Sequence, residues 1–143
     1  VSTPGPASPE RPTATVTGLY VYAVVAGVPA ELGTGIDGAP LDAVHAAGVA
    51  AVVHRHGGGP YQGADDDVRR WIVEHSEVVD RLWQEGVPVL PMSFNVIVAP
   101  GEDDDGDAAD GAGGEDAAAS ARRRLERWLT AHAADLRARL DAL

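Results

Sequence analysis

The clearest alternation of apolar and polar positions lies between Asp65 and Val98. Val68, Trp71, Ile72, His75, Val79 and Leu82 recur at helical spacing, Asp65, Asp66 and Asp67 open the run, and Glu85-Gly86 closes it. The spacing predicts an amphipathic helix. The apolar segment from Val87 to Val98 predicts a largely buried strand directly after it, so that the two pack as a pair.

The other elements are read around that pair. Gly18 to Val25, with Tyr20 and Tyr22 among aliphatic neighbours, predicts a strand that is apolar on both faces and therefore central. Glycines and prolines then punctuate a loop to Pro40. Leu41–Val53 admits two readings, a hairpin turning at His45-Ala46-Ala47-Gly48, or a short helix from Leu41 to Ala47 before the strand Val49–Val53. His54 to Ala64 is glycine-rich and reads as a mobile exit. From about Ala117 a helical stripe resumes through Leu125, Trp128, Leu129, His132, Leu136, Leu140 and Leu143. Along the first helix, Arg70 with Glu74 and Glu77 with Arg81 stand four apart, each pair contributing roughly 0.2–0.5 kcal/mol.

This order predicts an α+β class, a ferredoxin-like variant in which two major helices cover one face of a small, mainly antiparallel sheet. Residues 1–15, rich in Pro, Ser, Thr and Ala, are expected to form a disordered leader. The domain then spans 16–143, interrupted at 101–116 by an acidic Gly/Ala insertion expected to be disordered.

Charge narrows the partners. Lys and Arg total 11, all of them Arg, against 22 Asp and Glu, a formal charge of −11. Phosphate contacts need concentrated positive charge, so no nucleic acid is expected. The absence of Cys removes disulfides and thiolate chemistry. No apolar run has the length of a membrane span, and the expected setting is cytoplasmic, away from membranes.

Candidate chemistry meets a bland reading at each position. Gly33-Thr34-Gly35-Ile36-Asp37-Gly38 fits GxGxxG, but Pro40 interrupts the next segment and no acidic residue ends a second strand at the required distance, which leaves a glycine-rich turn. His54 and His56 form an HxH pair short of the three or four convergent ligands that zinc needs. His75 and His132 are expected at helix–sheet boundaries with one ring nitrogen hydrogen-bonded. Asp103, Asp105 and Asp107 are spaced like the start of a calcium loop, yet Ala108 stands where the turn needs Gly and Gly114 where the closing Glu belongs. Ser76 points away from its neighbour His75, Ser93 lacks an elbow, and Glu74 and Glu77 are read as facing solvent. No catalytic, cofactor or metal residue is assigned, and no enzyme is expected. Trp71 and Trp128 are read as core. Trp83, Tyr61, Phe94, Asp103, Asp104 and Asp105 are the candidate partner contacts. The alternative is a small-ligand or metal-binding α+β module using the Gly33–Gly38 loop or His54 and His56.

Several segments together carry a resemblance: Leu19–Val25, Gly35–Pro40, Val49–Val53, His75-Ser76-Glu77-Val78-Val79, and Val87–Phe94. In order and spacing they resemble the N-terminal domain of the GvpF/GvpL gas vesicle proteins, from about Gly18 to Val98 and again in the last helix. The resemblance implies a ferredoxin-like domain and an accessory or minor structural role in gas vesicle assembly. It implies contacts with the shell protein and other accessory proteins, and no catalytic constellation. It also implies a second α+β domain in the family, which is expected to be absent here. Ser93-Phe94-Asn95-Val96 departs from the family's usual Arg before Phe and Gly-Thr after it, and the acidic insertion is unusual, as in a divergent member or a fragment.

Overall fold

The computed structural model describes residues 17–57, 60–100 and 114–143. The expected leader and most of the acidic insertion, with Asp103, Asp104 and Asp105, lie outside the described residues.

Strand β1 (Thr17–Val25) is apolar on both faces, and it is central. It pairs along its length with β3 (Val49–Gly57), and β3 pairs with β2 (Asp42–Ala46). On its other side β1 pairs with β4 (Val89–Pro91) and with β5 (Ile97–Val98), and every pairing is antiparallel. Helix α1 (Asp65–Gln84) precedes β4, and helix α2 (Gly114–Asp141) follows β5. The α+β class, with an antiparallel sheet and two major helices, is consistent with a ferredoxin-like arrangement.

The helices do not share one face of the sheet as expected. Leu19, Val21, Val24, Ala51 and Val53 pack with Leu125, Leu129 and Leu136 of α2. Tyr20, Tyr22, Ala23, Val25, Ala50 and Val52 pack with Val78, Val79 and Leu82 of α1. A strand apolar on both faces needs cover on both, which places one helix on each. A β-bulge lets Tyr22 and Ala23 both join the α1 side, because the register slips between Val21 and Ala23.

Between Leu41 and Val53 the hairpin reading holds. The connection is the two-residue turn Ala47-Gly48, with φ of 52° and 87°, the type I′ pattern that matches strand twist. His54 to Gly57, expected to leave the sheet, extend β3 instead, since Thr17 to Tyr20 of β1 offer them partners. The apolar run 87–98 is two short strands rather than one. Asn95 at φ 76° turns the chain between them, while Met92 N–H donates to the Tyr22 carbonyl and Val21 N–H to the Val96 carbonyl at 2.9 Å each.

Helix α1 ends where expected, in a Schellman motif: Gly86, at φ 83°, donates to the Trp83 carbonyl, and Val87 to that of Leu82. Its buried face is His75, Val78, Val79 and Leu82; Ile72, placed on the apolar stripe by spacing, is 42% exposed. The Arg70–Glu74 pair forms at 3.8 Å. Arg81 donates instead to the carbonyls of Leu32 and Thr34, fastening the glycine-rich loop to the helix. Helix α2 buries Ala121, Leu125, Leu129, Ala133, Leu136 and Leu140, whereas Trp128, expected in the core, is 38% exposed. His132 and Leu143 are exposed too, Leu143 lying beyond the last helical residue Asp141.

Candidate functional site

The polar chemistry of the fold is concentrated between β1, β3 and α1. Alternation along β1 points Tyr20 and Tyr22 to the α1 side, and the same alternation on β3 points His54 and His56 there. Tyr20 stacks on His54 with ring centroids 5.1 Å apart. Tyr61, Trp71, His75 and Phe94 complete the cluster, Tyr61 lying 5.0 Å from Trp71 and 6.2 Å from Phe94.

Its hydrogen bonds form two relays. His75 Nε2 lies 3.0 Å from the Met92 carbonyl, which only accepts, so Nε2 carries the proton. Nδ1 is then an acceptor, and the Tyr20 hydroxyl donates to it at 2.7 Å while accepting from Asn95 N–H at 3.1 Å. In the second relay the Tyr22 hydroxyl accepts from Ile36 N–H at 2.9 Å and donates to His54 Nδ1 at 2.6 Å. His54 Nε2–H donates to the Tyr61 hydroxyl oxygen at 3.2 Å. This assignment gives the buried Tyr22 proton an acceptor. Asn95 binds the Tyr61 backbone at both its N–H and its carbonyl, at 2.8 and 3.0 Å, so the turn between β4 and β5 is tied to the entry of α1.

Electrostatics keep these groups neutral. Burial pushes the Tyr20 and Tyr61 hydroxyls up to about 12 each, and Tyr22 higher still. Burial, reinforced by neighbouring His56, pulls His54 down to about 4. His75 is lowered by burial against the opposing effect of its bond to Met92.

Each sequence candidate has a place. Gly35 lies directly on the Tyr22 hydroxyl, where a Cβ would collide, so the GxGxxG stretch is a turn shaped by a tyrosine. Asp37 within it, at φ 54°, receives Arg70 at 2.6 Å and the Trp71 indole N–H at 3.3 Å. Glu74, expected to face solvent, accepts the Asp37 N–H at 3.1 Å. The HxH pair shares one side of β3, but both nitrogens of His54 are committed to tyrosines. Among the described residues no group of three or more His, Asp or Glu gathers to hold a metal. His75 sits at the helix–sheet boundary as expected; His132 instead lies on the exposed side of α2, its Nδ1 2.9 Å from the Trp128 carbonyl. Trp83 is 45% exposed, Phe94 and Tyr61 are half-buried, and Phe94 lines a shallow groove of about 290 Å³ with Ile72, Val79, Pro91 and Met92. Sequence reasoning missed the hydroxyl partners of Tyr20 and Tyr22 and the role of Asn95. The signal available was two tyrosines at period two on the same side as an HxH pair.

Fold and site together define a small α+β domain whose polar interior is closed on itself. The family model described as "Gas vesicle synthesis protein GvpL/GvpF" matches residues 18–143, and the chain belongs to that family. It is 42% identical over 91 residues to gas vesicle protein L2 of Halobacterium salinarum, and 37% identical over 90 residues to gas vesicle protein L1 of the same organism. Each match covers 59% of this chain and 32% of the relative, so the match spans about a third of those relatives' length. The crystal structure of gas vesicle protein GvpF from Microcystis aeruginosa is similar with a TM-score of 0.49 and 24% identity, over 56% of this chain and 33% of that one.

Proposed function

We propose that this chain acts in gas vesicle assembly as an accessory or minor structural component, through contacts with the shell protein and other accessory proteins, at the vesicle within the cytoplasm. The observation that carries the reading is family membership across residues 18–143. The closed relays support it from the chemical side, since their buried groups are spent on one another. Candidate contacts are Trp83, which shares a helix face with Ile72 and Val79, and Phe94 beside them; Tyr61 and the acidic residues Asp103, Asp104 and Asp105 complete the set.

The test is a pull-down of this chain against the shell protein and each accessory protein, repeated with Trp83→Ala and with residues 101–116 deleted. Saturable binding to one of them, weakened by Trp83→Ala while thermal melting is unchanged, is the expected result. A folded chain that binds none of them overturns the reading.

A further inference from the structure

Along α1, Ile72, Ser76, Val79 and Trp83 follow one another at steps of four, three and four residues. That is the 3.5-residue repeat of a helix–helix seam, sustained for about three turns on the flank of α1 beside β4. Ile72 and Trp83 are exposed, as is Val73 next to the stripe. Pro91, Met92 and Phe94 line the other wall of the groove of about 290 Å³ that runs beside it. The contact of α1 with its own sheet is made by His75, Val78, Val79 and Leu82, and Val79 alone belongs to both sets.

The backbone beside the groove decides what shape of partner it can take. Strand β4 ends the sheet on this side, and its Pro91 has no N–H to give to a further strand. Asn95, in the left-handed conformation, breaks the edge again before the two residues of β5. An incoming strand would find no continuous ladder here. A helix, with its own backbone bonds satisfied, needs none and can set its side chains into a 3.5-residue seam.

Charge decides the partner's character, since the positions bordering such a seam set which helix it accepts. Asp80 lines the groove one position after Val79, and among the described residues its carboxylate has no ion pair or hydrogen bond. The same is true of Asp65 and Glu77 on this helix. Its arginines are all engaged: Arg69 with Asp66 at 3.6 Å, Arg70 with Asp37, and Arg81 with the carbonyls of Leu32 and Thr34. The uncommitted charge of α1 is therefore negative. A second copy would set these carboxylates against their own kind, and Glu102 to Asp105 of this chain carry the same sign, so both are repelled where a cation is steered in. We propose that the groove between α1 and β4 receives an amphipathic helix of a partner protein bordered by lysine or arginine, its apolar side chains against Ile72, Val79, Trp83 and Phe94 and a cation on Asp80. The proposal rests on the reading that this chain works through protein contacts, and it adds the face and the chemistry of the partner.

The experiment uses the full chain and three dye-labelled synthetic peptides read by fluorescence anisotropy. The first is a helix former with leucines at alternating steps of three and four and lysines along their border. The second replaces those lysines with glutamates. The third scrambles the first, keeping its charge but not its stripe, and so measures attraction to the acidic chain at large. The expected result is saturable binding of the lysine peptide, about tenfold or more tighter than either control. Ile72→Ala should weaken it and Asp80→Lys should abolish its advantage over the glutamate peptide, with circular dichroism and melting of both variants unchanged. Glu31→Lys makes the same change of charge on the opposite side of α1, beside Arg81 and Glu85, and should leave the preference intact. Equal binding of the lysine peptide and its scramble, no binding at all, or an Asp80→Lys effect no larger than that of Glu31→Lys overturns the proposal. So does a dimer seen by sedimentation that Ile72→Ala dissolves, because a second copy would then fill the groove. A chain that binds vesicle proteins but none of the peptides loses the groove alone, and one that binds the lysine peptide but no vesicle protein loses the assembly role alone.

Discussion

The Tyr20 hydroxyl donates to His75 Nδ1 at 2.7 Å, joining the middle of the central strand to the buried face of α1. The same oxygen accepts from Asn95 N–H at 3.1 Å, so one phenol holds the helix, the strand and the β4–β5 turn in register. Tyr20→Phe keeps the ring and removes both bonds. It leaves a buried imidazole nitrogen and a backbone N–H without partners, which costs about 1–3 kcal/mol. The urea midpoint should fall accordingly with the slope unchanged; an unaltered midpoint would show that the relay does not fasten the helix.

Gly35 is required by proximity rather than by any ligand. A Cβ there would meet the Tyr22 hydroxyl and lie 3.0 Å from Leu41 Cδ2. Gly35→Ala should therefore displace Tyr22 from Ile36 N–H and destabilise the chain by about 1–3 kcal/mol, the range for overpacking. Gly38→Ala supplies the contrast, since nothing lies within 4 Å of its added Cβ and only its φ of 74° is unfavourable. The double variant Gly35→Ala/Tyr22→Phe should recover little of the loss, read by thermal melting, because the ring Cζ that Phe keeps lies 2.7 Å from the added Cβ and the bonds to Ile36 and His54 are gone as well.

The hairpin turn offers a gain. Ala47 holds φ 52°, a conformation that costs a residue with a Cβ unless its side chain is Asn or Asp. Ala47→Asn creates the preferred Asn-Gly pair of a type I′ turn and should stabilise the chain by about 0.5–1 kcal/mol. A denaturant midpoint no higher than that of the parent would count against the turn assignment.

Much of the fold was legible because it depends on local patterns. Three aspartates and Glu85-Gly86 bounded α1, and the two-faced apolar run marked β1 as central. What sequence left open depended on distant partners. His54 to Gly57 looked like a loop by composition and became strand because β1 extends to Thr17 beside it. The run from Val87 to Val98 looked continuous, yet the left-handed Asn95 divides it. Trp128 matched the helical stripe, but Leu125, Leu129, Leu136 and Leu140, with Ala121 and Ala133 among them, are what α2 buries against the sheet, and Trp128 falls outside that face. Exposure was half visible: Trp83 was read as exposed and is, while that of Trp128 follows only when α2 is laid across the sheet. The relays were least legible, since period two places Tyr20, Tyr22, His54 and His56 on one side without saying which hydroxyl meets which nitrogen.

Stability should fall in mild acid, and His54 sets the window. In the fold its pKa is pulled from the ordinary 6.5 down to about 4, chiefly by burial. Between those values the unfolded chain binds a proton that the folded chain refuses, so stability rises with pH across that interval. The contribution is complete above pH 6.5, is lost as pH falls toward 4, and levels off below, amounting to about 3 kcal/mol across the interval. His75, lowered in the same direction by burial, adds to the slope with the same sign. Urea unfolding at closely spaced pH values should show the midpoint dropping through this window. His54→Gln should be less stable at neutral pH, having lost its bonds to Tyr22 and Tyr61, and its acid limb should be shallower than the parent's. An equally steep limb in that variant would assign the acid sensitivity to other groups and remove His54 as its source.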